Sequence, residues 1–158
     1  MDNEEILARV EVSQARRYMG VATLVGLGAM LLYLSVVQPP AGLGWRAFLL
    51  VFGVLSLVLG LRMHAATALH LELTAEALRD STGTVLARMD QIEGIDRGVF
   101  AFKPSNGFLL RLSSQQPRRW APGLWWRLGR RVGVGGVTPG HQTKFMAEAI
   151  QLHLSARE

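Results

Sequence analysis

The sequence contains no cysteine and little charge. Without cysteine the chain can hold no disulfide framework, thiol nucleophile, iron–sulfur cluster or cysteine-ligated zinc. Only 18% of its 158 residues are charged, against 49% that are hydrophobic, and this balance excludes the disordered and coiled-coil classes. The length leaves room for one soluble domain of roughly 100 residues beside the longest apolar stretches.

Two stretches carry no charge at all, residues 18–37 and residues 47–61. The first would span about 30 Å as a helix, which matches the hydrocarbon core of a bilayer. Pro39 and Pro40 follow it, and proline cannot continue a helix. The pattern predicts a first transmembrane helix over residues 18–37. A signal peptide is the alternative, but the leader is long and net acidic and no cleavage site follows.

The second stretch, Ala47–Leu61, is short for a membrane span. Arginine can keep its stem in lipid and its head at the interface, so the flanking Arg46 and Arg62 lengthen it. The pattern predicts a second transmembrane helix over residues 45–63. A buried core helix is the alternative, but the chain has no other apolar material to cover it. The connection over residues 38–44 makes the two helices a hairpin.

Residues suited to a membrane boundary flank both predicted helices. The predicted interface anchors are Arg16, Arg17, Tyr18, Trp45, Arg46 and Arg62. Arginine is concentrated before the first helix and after the second, so both termini, including the segment 1–17, are predicted to be cytoplasmic. Small residues four apart, a spacing that lets helices approach closely in lipid, occur at Ala22/Gly26 and Ser56/Gly60.

Residues 64–158 are predicted to form a cytoplasmic domain. The apolar pattern there changes to period two, and turn residues separate the short runs. The predicted strands are His70–Thr74, Ala77–Asp80, Thr84–Met89, Gln91–Ile95, Gly98–Lys103, Phe108–Ser113 and Arg131–Val137. Within the intervening segment 115–130, residues Leu124–Leu128 could form a single helical turn.

The end of the chain returns to a helical period. Thr138 suits a helix cap and Pro139 suits the first helical position. The predicted apolar stripe of this helix is Phe145, Met146, Ala149, Ile150 and Leu152. The order of about seven strands and one helix predicts a small α+β domain, a sandwich or barrel whose open end the helix plugs.

This layout resembles that of small bacterial membrane proteins with a pleckstrin-homology-like (PH-like) domain. The segments that carry the resemblance are Arg88–Ile95, Phe108–Leu112, Arg131–Gly136 and Phe145–Ile150, and it covers roughly residues 68–154. The resemblance implies a PH-like fold and a bacterial inner-membrane location. Some members of that family take part in assembling or regulating membrane complexes, and the family supplies no catalytic residues.

No residue pattern predicts catalysis, a metal or a cofactor. The four histidines lack the i, i+4 pairing of a zinc helix. Asp90, Glu93 and Asp96 fit a solvated strand edge better than a set of catalytic carboxylates. Gly135 and Gly140 have the spacing of a phosphate loop, but the lysine and hydroxyl residue that should follow are missing. These glycines are expected to serve a bulge or close packing instead.

Positive charge and tryptophan are concentrated in one stretch. From Arg97 to Ala147 there are nine basic residues and no acidic one, and residues 117–131 hold five arginines and three tryptophans. Trp125 and Trp126 are adjacent, so only one of them could point inward from a strand. The predicted partner- or lipid-binding residues are Arg118, Arg119, Trp120, Trp125, Trp126, Arg127, Arg130 and Arg131.

Two binding partners for this stretch stay open, which are anionic lipid headgroups and a partner protein in the same membrane. A third interpretation places the tryptophans in the domain core. The isoelectric point of about 10.7 is basic, but no nucleic-acid-binding signature accompanies it. The sequence predicts a membrane-anchored, non-enzymatic accessory protein. The alternatives are a small-molecule-binding or enzymatic domain with an unrecognised pocket, and a structural subunit that acts through its helical hairpin.

Overall fold

The computed structural model describes residues 5–97 and 104–157. Its helices are α1 (Gln14–Val37), α2 (Leu43–Ala66) and α3 (Gly140–Ser155), and a 3-10 turn covers Met89–Gln91. The strands are β1 (Ala8–Val10), β2 (Leu71–Leu73), β3 (Ala77–Asp80), β4 (Val85–Arg88), β5 (Ile92–Asp96), β6 (Phe108–Ala121) and β7 (Trp125–Val134). The predicted strand Gly98–Lys103 lies outside the described residues.

The helices α1 and α2 form a hairpin and are both long and apolar enough to cross a membrane. Each has 24 residues, which corresponds to about 36 Å of helix. The helix α1 begins four residues before the predicted span and therefore includes Arg16 and Arg17. Large apolar side chains are exposed along both helices, and so wide an apolar surface needs a cover such as lipid.

Glycine allows the two helices to touch. A Cβ placed at Gly28 would lie 2.8 Å from the Gly53 carbonyl oxygen, so the backbones meet at this crossing. Gly60 also lies at the contact, beside Leu24. The predicted role of the pair Ala22/Gly26 is wrong, because both residues are exposed and a Cβ at Gly26 would meet no described atom within 4 Å.

An engineered disulfide can test the packing of α1 against α2, because the chain has no cysteine of its own. A Cβ at Gly60 would lie 3.4 Å from the Cβ of Leu24, close to the separation of about 3.8 Å found in disulfides. The full chain with Leu24→Cys and Gly60→Cys is expected to cross-link under mild oxidation, which thiol labelling with a polymer maleimide would report. The control pairs Gly26→Cys with Gly60→Cys and should stay reduced. Equal cross-linking of the two pairs would contradict this helix packing.

The strands form two antiparallel sheets, with the orders β1-β2-β3-β4 and β5-β6-β7. The sheets enclose one apolar core, in which Phe108, Leu71, Leu110 and Met146 are fully buried or nearly so. The expectation of a closed barrel is wrong, since no described strand pairing joins one sheet to the other. The coarser expectation of a small two-sheet domain with a C-terminal helix is confirmed.

The helix α3 packs across the edge strands β1 and β5 and so covers one side of the gap between the sheets. Its buried face is Thr143, Met146, Ala147 and Ile150. The predicted stripe is wrong at Phe145 and Leu152, which are exposed. Pro139 occupies the cap position rather than the first helical position, and the Thr143 hydroxyl donates to the Asn106 carbonyl at 2.6 Å.

Strand β1 belongs to the segment that was expected to be a simple leader. Ala8 and Val10 are buried while Arg9 between them is exposed. The strand pairs with β2 through Ala8↔Leu73 and Val10↔Leu71. The chain therefore enters α1 from one strand and returns from α2 into its neighbour. The helical hairpin is an insertion between two adjacent strands of a single sheet.

Candidate binding surface on the β6–β7 hairpin

The arginine- and tryptophan-rich stretch is a long β-hairpin and not a loop with a helical turn. Strands β6 and β7 continue through it and reverse at residues 122–124, so the helical turn considered for Leu124–Leu128 is absent. Their register is Gln116↔Gly129, Arg119↔Arg127 and Trp120↔Trp126, with irregularities on both sides of Gln116. We call residues 121–124 the hairpin tip.

The β6–β7 hairpin is bent, so that the residues just after β7 contact the hairpin tip. Gly129 stands in the left-handed region (φ 59°) opposite the irregular part of β6. The Gly135 N–H donates to the Leu124 carbonyl at 2.9 Å, and the Val137 N–H donates to the Gly123 carbonyl at 3.0 Å. The glycine run therefore serves close backbone packing, as expected, because a Cβ at Gly136 would lie 2.5 Å from the Gly123 oxygen.

The hairpin tip rests against the end of the helical hairpin. A Cβ at Gly123 would contact Met63 at 3.1 Å and Thr67 at 3.2 Å, both in the last turn of α2 or just after it. The segment after β7 meets the start of α1, where Ser13 N–H donates to Val137 O and Arg16 Nη1 donates to Thr138 O, each at 2.9 Å. The tip and this segment form the face of the domain nearest to the helices.

The three tryptophans of the hairpin have different surroundings. Trp125 is 3% exposed and belongs to the core. Trp126 is half-buried, and its ring lies so close to Gly133 that any side chain there would collide with it. Trp120 is 60% exposed and stands opposite Trp126 across the strands. The inference that only one of Trp125 and Trp126 points inward is confirmed. The core interpretation holds for Trp125 alone.

Arg127 shares the inward face of β7 with Trp125, since the two residues lie two positions apart in a strand. It is 9% exposed and donates from Nε to the Pro117 carbonyl at 2.9 Å. Its Nη1 donates to the carbonyls of Val85 at 2.9 Å and Leu86 at 3.2 Å. This guanidinium bridges the free edge of β4 to β7, on the side of the gap that α3 does not cover. Sequence reasoning placed Arg127 with the exposed arginines, whereas the fold uses it as an internal bridge.

Arg118, Arg119, Arg130 and Arg131 are exposed. None of them has an ion-pair partner among the described residues. Arg131 stands directly opposite Arg111, which is also exposed, so two like charges face each other across the strands. The exposed arginines of the β6–β7 hairpin therefore carry positive charge that no described carboxylate pairs with.

The structure separates two of the exposed arginines, Arg130 and Arg131, from the exposed Trp120. The bend at Gln116 and Gly129 lies beside Gln91, whose Oε1 accepts from Gln116 Nε2 at 3.3 Å. The chain runs away from α2 through β2, from His70 to Thr74, so Thr74 lies at the end of its sheet remote from the helix. Gln91, which follows β4, lies at the same end of that sheet. Trp120 therefore lies near the helices, while Arg130 and Arg131 lie near the opposite end of the domain.

The predicted interface anchors lie at the two ends of the helical hairpin. At the domain end, Arg17 donates to the His64 carbonyl at 3.1 Å and stands over the ring of Tyr18, and Arg62 is exposed. At the connection end, Trp45 is 65% exposed and meets Phe48 edge-on at 5.4 Å, beside the exposed Arg46. These positions suit residues at two water–lipid boundaries.

No group of three metal-ligating side chains occurs within residues 5–97 and 104–157. The acidic trio expected at a strand edge begins with Asp90, which pairs with Arg88 at 3.4 Å. Two contacts of the site, those of Met63 and Thr67 with the tip, had no signal in the sequence because they join residues about 60 positions apart. Comparisons with protein-family models, curated proteins and solved structures found no match to the chain, so the site rests on its own geometry.

Proposed function

We propose that the chain is a membrane-anchored, non-enzymatic accessory protein. Its small domain, which we take to be PH-like, contacts anionic lipid headgroups, a membrane partner protein, or both through the β6–β7 hairpin. We place it in a bacterial inner membrane with both termini in the cytoplasm, following its layout and its arginine distribution. The pairing of β1 with β2 supports the part of this proposal that puts both termini on one side.

The position of the hairpin tip carries the proposal. The tip packs against Met63, one residue from Arg62 at the boundary of the apolar part of α2. Trp120 immediately precedes the tip and is 60% exposed. Tryptophan is enriched at the headgroup level of membranes, where its ring is covered and its N–H remains hydrogen-bonded. The surface of the bilayer is thus the nearest available cover for this side chain.

The exposed arginines extend the binding surface away from the helices. A basic residue near an anionic leaflet contributes about 1 kcal/mol, and this contribution falls off within a Debye length. Arg118 and Arg119 adjoin Trp120 and are the better placed for headgroups. Arg130 and Arg131 stand near the remote end of the domain, which suits an acidic surface on a partner protein better than lipid.

Trp120 is expected to contact lipid in the full-length protein. The chain with Trp45→Phe, reconstituted in bilayers whose acyl chains carry bromine near the headgroups, should show quenched tryptophan fluorescence. Adding Trp120→Phe should remove most of that quenching, because Trp125 is enclosed by protein and Trp126 is half-buried against Gly133. The quenching should also grow when phosphatidylglycerol replaces phosphatidylcholine, since the neighbouring arginines then hold the hairpin closer to the surface.

The matched control adds Trp125→Phe to the Trp45→Phe chain and should leave the quenching nearly unchanged. If Trp120→Phe and Trp125→Phe had equal effects, lipid contact at the hairpin would be wrong. The partner-protein half would then be tested by mild-detergent purification of the tagged chain. A complex held by this surface should be lost when Arg118, Arg119, Arg130 and Arg131 are replaced by glutamine.

A further inference from the structure

A cleft of about 380 Å³ lies where the outer part of the β6–β7 hairpin passes the β3–β4 edge. The charged residues on its walls are Arg79, Arg88, Arg127 and Glu76, and the amides of Gln91 and Gln116 join them. Three guanidinium groups and one carboxylate therefore line the cleft. Its volume falls within the range of small-ligand sites, about 300–1,000 Å³.

Arg127 is the buried charge of this cleft. Its Nε and Nη1 donate to three backbone carbonyls, whereas its Nη2 has no hydrogen-bond partner in the described part of the chain. No described carboxylate lies within 4.0 Å of it. Burying a guanidinium without a counter-charge is unfavourable, because carbonyl dipoles replace only part of its hydration.

The other two arginines that line the cleft each have a carboxylate partner. Arg79 is paired with Glu72 and Arg88 with Asp90, each at 3.4 Å. Arg119 stands opposite Arg127 across the strands and adds a second positive charge. Burial, followed by the charge of Arg119, lowers the pKa of the Arg127 guanidinium, although the group stays protonated at neutral pH. Arg127 is thus the one arginine lining the cleft that no described carboxylate pairs with.

We infer that the cleft binds the carboxylate or phosphate group of a small organic anion. Arg127 Nη2 is the principal donor to it, in a charge-assisted hydrogen bond of the kind that arginine forms with such groups. Arg88 and the two amide side chains contact the remainder of the molecule. The volume exceeds that of the anionic group alone, so the ligand is a metabolite-sized anion or the headgroup of an anionic lipid. This site does not include Trp120, although Arg119 lies next to both.

Thermal unfolding of the full-length protein in neutral maltoside micelles tests the inference. Sodium phosphate and sodium acetate are titrated separately, with sodium chloride keeping the ionic strength constant. At least one of the two oxyanions should raise the unfolding midpoint above the chloride baseline. Arg127→Lys should weaken the apparent affinity about tenfold, which corresponds to one charge-assisted hydrogen bond. The control Lys144→Gln removes an exposed charge on α3, outside the cleft, and should change the affinity less than about twofold.

A second variant keeps the test independent of the structural role of Arg127. Ala77 lines the cleft and is half-buried, so Ala77→Phe should fill it without touching the Arg127 hydrogen bonds. This variant should keep the native circular dichroism spectrum and lose the oxyanion effect. The inference is overturned if neither oxyanion exceeds chloride, if Arg127→Lys and Lys144→Gln lower the affinity equally, or if Ala77→Phe retains the full effect.

Bilayer discs distinguish the two sources of the anion. Discs of phosphatidylcholine are compared with discs that also contain phosphatidylglycerol. Stabilisation by phosphatidylglycerol that Ala77→Phe removes, and to which soluble phosphate adds nothing, assigns the cleft to a lipid headgroup. Stabilisation by soluble phosphate that is the same in both kinds of disc assigns it to a free metabolite.

Discussion

A chain that begins at residue 64 is expected not to fold, although it contains the whole of the domain that the sequence pattern suggests. It lacks β1, whose Val10 is completely buried, together with the buried Ala8 and Val12. Burying one valine is worth about 1.5–3 kcal/mol, and small domains have a total stability of only about 5–15 kcal/mol. Removing β1 also uncovers one edge of β2 and part of the inner face of α3.

Restoring β1 without the helices should restore folding. Residues 5–13 joined to residue 67 by a Gly/Ser linker of roughly ten residues can reach the same position, because the helices leave and rejoin neighbouring strands. Far-UV circular dichroism should show cooperative melting of the linked chain and none of the chain from residue 64. Within the linked chain, Val10→Asp should abolish the transition, while Arg9→Asp on the exposed face should leave most of it. Equal melting of the linked and truncated chains would show that β1 is dispensable.

Gly136→Val is expected to detach the hairpin tip from the end of α2. Gly136 has φ 130°, which valine does not adopt, and its Cβ would lie 2.5 Å from the Gly123 carbonyl. Backbone strain and overpacking each cost about 1–3 kcal/mol. Relief requires the tip to move, and the contacts of Gly123 with Met63 and Thr67 would move with it. The unfolding midpoint of the full chain should fall by at least about 8 °C.

The control for this substitution is Gly129→Asn. Gly129 also has a positive φ, but asparagine tolerates its value of 59° and a Cβ there would meet no described atom within 4 Å. This variant should melt within a few degrees of the parent. Hydrogen exchange at the Val137 amide, which donates to Gly123, should accelerate in Gly136→Val only. An unchanged Val137 amide in Gly136→Val would mean that the tip adapts without leaving the helix end.

The helices and most strands could be predicted because their signals are local. Long charge-free runs and period-two alternation depend on neighbouring residues alone. Strand β1 carried the same signal, since Ala8, Val10 and Val12 alternate with Arg9 and Glu11. The signal is only three residues long in the strand itself and stands just before a long apolar helix, so it does not by itself predict a strand. Its burial depends on β2, which lies about 60 residues further along the chain.

The sequence predicts which stretch forms the candidate binding surface, but not which of its side chains face water. Composition identifies the stretch from Pro117 to Arg131, but its two prolines and two glycines are typical of irregular structure. The structure tolerates Pro117 at an irregular point of the β6–β7 register and Pro122 in the tip. Whether an arginine faces water or the interior depends on the partner strand, so the role of Arg127 required β4. Nothing local to residues 115–131 could distinguish Arg127 from Arg130.

The insertion of the helical hairpin between β1 and β2 also sets an order of events during synthesis. The ribosome delivers β1 first, then both helices, and only afterwards the strand with which β1 pairs. The backbone edge of β1 therefore stays unpaired while α1 and α2 are being synthesised. In the membrane orientation proposed above, the domain can close only after the second helix has returned the chain to the side of the bilayer on which it started. If both helices span the bilayer as proposed, a completed domain requires that both have been inserted, and a chain that stalls halfway exposes an incomplete sheet.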